Sequence, residues 1–133
     1  MTTGRQILGG AGTATAALAF GGSPSPGATE LWNGTNWTEV NDLNVGRTNL
    51  NGNGTSTSAL AIGGQNPAST ITESWNGTNW INVQTMSVAK RQFGAAGTSN
   101  TVSIAFGGDL PGNSAATEEW YGDGKLTETF TTS

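Results

Sequence analysis

The sequence predicts an all-β chain made of three four-stranded antiparallel units, and three observations carry that expectation. A double glycine recurs at Gly21-Gly22, Gly63-Gly64 and Gly107-Gly108, at spacings of 42 and 44 residues. Each pair closes a similar apolar run: ALAFGG, ALAIGG and SIAFGG. Behind each pair an acidic residue precedes a tryptophan by two positions, at Glu30 and Trp32, Glu73 and Trp75, and Glu118 and Trp120. Composition agrees. Of 133 residues, 21 are glycine, only 34% are hydrophobic and only 11% are charged, a profile of short strands and many turns rather than helices. Self-similarity at a period of this length marks a repeat architecture.

The elements follow in order. Arg5, Arg47 and Arg91 each lie 16 residues before the first glycine of a pair, and a first strand is expected after each, at 7–12, 49–54 and 93–97. The second strands, 16–20, 58–62 and 102–106, carry the apolar run. They stop at the double glycine, where the backbone turns in a way that a side chain would obstruct. The third strands, 28–32, 71–75 and 116–120, end at the first tryptophan. Asn33-Gly34 and Asn76-Gly77 then predict tight hairpins with φ > 0 at both central positions. The fourth strands begin at the second tryptophan, Trp37 or Trp80, and cover 37–40, 80–83 and 126–130. The phrase WNGTNW occupies 32–37 and 75–80, but in the third unit Leu126 stands nearest the second tryptophan's slot. One domain over 1–133 thus divides into units of about 5–40, 47–83 and 91–130. Residues 5–20 superficially resemble a secretion signal. They align instead with RTNLNGNGTSTSALAIGG as two strands, so no signal peptide is expected.

An arginine, an apolar run closed by Gly-Gly, an acidic-aromatic strand, a tight turn and a tryptophan, in that order, resemble the Kelch repeat over about residues 5–130. The resemblance implies a β-propeller with one four-stranded blade per repeat. Kelch repeats often carry Tyr where this chain has Trp32, Trp75 and Trp120, and the third repeat lacks the second tryptophan. The wording of the repeats is also similar in style to Kelch-like arrays of marine bacteriophage structural proteins, which implies a virion or host-cytoplasm location. Some Kelch-type propellers are copper oxidases. Their copper needs His, Cys and Tyr, and of these the chain has only Tyr121, so no cofactor is expected.

Single-chain propellers close with ~4–8 blades, so three blades leave two apolar ends to be covered. The connectors suggest how. From Trp37 to Arg47 is 10 residues and from Trp80 to Arg91 is 11; from Leu126 to Ser133 and on from Met1 to Arg5 is 12 steps. A head-to-tail homodimer completing a six-bladed propeller is therefore expected, with a piece of a larger tail or fibre protein as the alternative.

The residue inventory bounds the chemistry. With no histidine and no cysteine, His-based acid/base schemes, thiol nucleophiles, disulfides and Cys-ligated zinc are excluded. Net charge is −4 with five scattered basic residues, which argues against nucleic acid and anionic membranes. No stretch approaches the ~20 apolar residues of a membrane span. Asp109, Asp123, Glu118, Glu119 and Glu128 form no convincing catalytic pair, so a non-enzymatic protein with no metal is expected. Sequons at Asn33, Asn36, Asn53 and Asn76 read as turn residues. The expected binding face is the loop face, where a protein or glycan ligand would meet Ser23, Ser25, Asn41, Asp42, Gln65, Asn66, Gln84, Asp109 and Asn113. Trp32, Trp37, Trp75, Trp80 and Trp120 are expected in the core between units; the alternative is sugar stacking in a lectin-like propeller. Arg5, Arg47 and Arg91 with Glu30, Glu73 and Glu118 are expected as ion pairs or carbonyl caps. Six such arginines around one channel mouth in a dimer would instead make an anion site.

Overall fold

The computed structural model describes residues 1–66, 69–109, 112–121 and, as backbone alone, 125–130. Pro67, Ala68, Leu110, Pro111, Gly122, Asp123, Gly124 and the side chains of Leu126 and Glu128 lie outside the described residues. Among the described residues there is no helix. Twelve strands among these residues form three antiparallel sheets. The first contains β1 (Gly9–Gly12), β2 (Ala17–Phe20), β3 (Thr29–Trp32) and β4 (Trp37–Val40), in that order. The second contains β5 (Asn51–Gly54), β6 (Ala59–Ile62), β7 (Thr72–Trp75) and β8 (Trp80–Asn82). The third contains β9 (Gly94–Ser99), β10 (Val102–Phe106), β11 (Thr117–Tyr121) and β12 (Lys125–Phe130). Each sheet is a meander. The three first strands lie together, β1 against β5 and β5 against β9.

The first two first strands start two residues later than the sequence expects, at Gly9 and Asn51, while β9 starts one residue later, at Gly94, and runs two residues further, to Ser99. The residue two positions before each strand explains the late start: Ile7, Asn49 and Gln92 adopt φ of 53°, 54° and 50°. A left-handed residue interrupts an extended ladder, and for a β-branched side chain it is strained. The twist has a use at the first junction, where the Ile7 carbonyl turns to accept from Asn49 N of the next sheet at 2.9 Å.

Alternation along the strands gives each sheet two distinct faces. In the first sheet Leu18 and Phe20 point toward the second sheet and join Leu43, Leu50, Ala59, Ala61, Trp75 and Trp80 in one core. Phe20 meets Trp80 edge-on with ring centroids 5.0 Å apart, and Trp80 Nε1 donates to Thr29 Oγ1 at 3.0 Å. The ring of Phe20 needs bare backbone beneath it. A Cβ on Gly52 would run into that ring and lie 2.6 Å from the Leu60 carbonyl. At the next junction Leu60 and Ile62 pack with Met86, Phe93, Ala105 and Trp120. Asn53 Nδ2 donates there to Ser103 Oγ at 2.8 Å. Main-chain bonds join the sheets at equivalent points, Gly22 N to Arg47 O at 2.9 Å and Gly64 N to Lys90 O at 2.7 Å.

The Asn-Gly turns are four-residue loops rather than two-residue hairpins, because Trp32 pairs with Trp37 and Trp75 with Trp80. Only the glycines have positive φ there, 95° at Gly34 and 97° at Gly77. The asparagine works through its side chain instead. Asn33 Oδ1 accepts from Thr35 N and Asn36 N at 2.9 and 2.8 Å, and Asn76 repeats the pattern on Thr78 and Asn79.

Candidate functional site

Each sheet holds a buried cation over a buried glutamate. Arg47 and Glu73 have fully buried side chains 2.6 Å apart. Arg47 also donates to the carbonyls of Gly63 and Ala61. Arg5 donates to Gly21 O and Ala28 O, both at 2.8 Å, and to Glu30 at 2.7 Å. The carboxylates in turn hold the chain entering their own sheet: Glu30 accepts from Thr2 N, Glu73 from Asn44 N and Val45 N, and Glu118 from Ser87 N. Burial pushes the Glu30 carboxyl up, but hydrogen bonds from Thr2 and Arg5 outweigh it and hold the group below its ordinary range. Burial lowers Arg47 against the pull of Glu73. A buried charge is tolerated only when paired and hydrogen-bonded, and these pairs are both. The buried arginines are therefore ion pairs and carbonyl caps, with their charge paired inside the sheet.

Arg91 does not take this position in the third sheet; Lys90 does. Lys90 is completely buried, and Nζ donates to Gly107 O at 2.9 Å and Ala116 O at 3.3 Å. These carbonyls are equivalent to those that Arg5 caps. The reason is one extra residue in the β9–β10 hairpin. Gly12 pairs with Ala17 and Gly54 with Ala59, but Gly97 pairs with Ser103 across a bulge at Val102. Counting back 16 from Gly107 therefore stops one residue short, at Arg91. Nothing in the residue types betrays the insertion, since the hairpin is Thr/Ser/Asn-rich with or without it. Burial lowers the Lys90 ammonium below its ordinary value, opposed by Glu118. Arg91 lies nearer the surface, bonded to Asp109 at 2.9 Å and to the Gln65 side chain.

The loops between second and third strands lie with the connectors, as Leu43 N to Gly27 O and Arg47 N to Pro26 O, both 2.9 Å, demonstrate. Asp42, Asn66, Gln84 and Asn113 are exposed on this face, with Ser23, Ser25, Gln65 and Asp109 half-buried. Several have structural work as well. Ser23 pairs with Gln6 through its backbone, the Gln84 carbonyl accepts from Trp120 Nε1, and Gln65 and Asp109 share Arg91. Asn41 is exposed, but its amide reaches Thr78 O and Asn79 Oδ1 of the second sheet. Asn41 and Gln84 thus lean toward the far end of the next sheet, and among the described residues the nine line no common pocket.

The tryptophans separate by position. Trp75, Trp80 and Trp120 are buried at 1%, 4% and 0% exposure. Trp32 and Trp37 are only half-buried although their ring centroids sit 5.5 Å apart, much as Trp75 and Trp80 sit at 5.3 Å. They belong to the outward face of the first sheet, where Gly10, Gly12, Ala17, Ala19 and Trp37 line a wide groove. The outward face of the third sheet carries a second groove with Ala96, Val102, Ile104, Glu119 and Tyr121 on its walls. The Tyr121 hydroxyl donates to Glu119 at 2.8 Å. No family model matches the chain, and no curated protein matches it in sequence.

Proposed function

We propose that this chain is a non-enzymatic, self-assembling half of a six-bladed Kelch-type propeller, acting as a structural or protein-interaction module of the kind found in phage particles. A head-to-tail homodimer supplies the six blades. One observation carries the reading: a single junction design is used twice inside the chain, and each end sheet displays one unused half of it. Phe20 is buried at 0% by the second sheet, whereas its third-sheet counterpart Phe106 is 43% exposed. Exposed apolar faces of this kind mark association surfaces. The buried carboxylates support a structural rather than a chemical role, since Glu30 and Glu73 are occupied with arginines and incoming backbone, and Glu118 with incoming backbone. The exposed polar loops, with Asp42, Asn66 and Asn113 among them, provide the surface for a protein partner.

Light scattering over a dilution series tests the assembly. The expected mass is twice 13.5 kDa, holding to micromolar concentration. A folded monomer at every concentration would overturn the half-ring.

A further inference from the structure

We propose that the two end faces join in one defined register, with Phe106 of one copy seated over Gly10 and beside Trp37 of the other, and with Trp37 Nε1 donating to Thr117 Oγ1. This rests on the half-ring reading and adds the contact that closes it. The second copy is the occupant because both halves of the contact already exist, residue for residue, inside one chain.

The repeat alignment runs through the strand registers. Phe20 pairs with Gly9 and Thr29, and Phe106 pairs with Gly94 and Thr117. Phe106 lies over Gly94 as Phe20 lies over Gly9. Phe20 then reaches forward onto Gly52 and Trp80, whose indole donates to Thr29 Oγ1. On the outward face of the first sheet the counterparts of Gly52, Ala59, Ala61, Trp75 and Trp80 are Gly10, Ala17, Ala19, Trp32 and Trp37. All five are identical residue types.

The backbone carries the same vacancy. A Cβ on Gly21 would meet Leu50 and the Arg47 carbonyl, and one on Gly63 would meet the Lys90 carbonyl, because the next sheet presses there. At Gly107 the nearest atom is Ser114 O at 3.8 Å. Likewise a Cβ on Gly10 meets only Leu18 O, at 3.5 Å, where Gly52 is covered by the ring of Phe20. A slot for an aromatic ring at one end and an exposed ring at the other are complementary, and a face of either kind does not fit itself. The contact is therefore heterologous.

The contact pairs Ala96 of one copy with Ala17 of the other, as Asn53 pairs with Ser103 within the chain. The chain has no cysteine, so engineered thiols report cleanly. The test is a short bis-maleimide applied to Ala17→Cys, Ala96→Cys and the double variant, followed by mass analysis in denaturant. Asn53→Cys/Ser103→Cys, linked within one chain, calibrates the reagent. The expected result is a covalent dimer from the double variant at least tenfold above either single variant. A ladder of longer products would confirm the register and overturn only the two-copy ring. Cross-linking of either single variant to itself would overturn the register, as would failure of the double variant while the unmodified protein has the mass of a dimer. An unmodified protein that stays monomeric would overturn the register and the half-ring together.

Discussion

Lys90 sits where the other two sheets keep an arginine, and the substitution leaves a defect. Its ammonium reaches the two carbonyls but Glu118 Oε2 is buried without a partner. Arg5 serves the same two carbonyls and its glutamate at once, because a guanidinium forks and an ammonium does not. Burial also holds Lys90 below its ordinary lysine value. The folded chain then binds fewer protons there than the unfolded chain, so the position costs stability at neutral pH, and the cost shrinks as pH rises toward the ordinary lysine range. Lys90→Arg should supply the missing donor and raise stability by about 1 kcal/mol. The check is the urea midpoint at neutral pH; an unchanged or lower midpoint would show that the third sheet cannot seat the fork.

Between strands, the hydroxyl of the third strand's first residue shows what each junction lacks. Thr29 Oγ1 accepts from Trp80 Nε1, but Thr72 Oγ1 is buried with no partner. The strand registers give the cause: Trp32 faces Trp37 and Trp75 faces Trp80, while Trp120 faces Leu126, a residue with no side-chain donor. Thr29→Val should therefore cost about 1–3 kcal/mol by stranding an indole N–H, whereas Thr72→Val should be neutral or stabilising. Thermal unfolding of the two variants side by side decides this, and equal losses would remove the argument. The strands themselves were legible in the sequence, because each apolar run ends at a double glycine and each third strand ends at a tryptophan. The fourth-strand difference at Leu126 was legible too. The Lys90 shift was not, because Thr98-Ser99-Asn100-Thr101 hides one added residue among similar types. Nor could Trp32 and Trp75 be told apart, since identical phrases become half-buried or buried according to which sheet stands next to them.

A heterologous contact makes a ring when its rotation closes and a filament when it does not. Three sheets that repeat one junction geometry favour closure, because the contact between copies only continues a rotation that the chain has already made twice. Gly10 and Gly52 separate that contact from the fold. They occupy equivalent positions, and both must stay bare for an aromatic ring, but the ring over Gly52 is the chain's own Phe20. Gly52→Val should collide with Phe20 and the Leu60 carbonyl and cost about 1–3 kcal/mol of overpacking. Gly10→Val meets no such obstacle, since its Cβ has only Leu18 O at 3.5 Å. It should keep the β-sheet circular dichroism of the parent yet weaken self-association at least tenfold, giving a folded monomer in sedimentation at concentrations where the parent is a dimer. If Gly10→Val still dimerises as the parent does, Phe106 does not seat there, and the copies meet by some other surface.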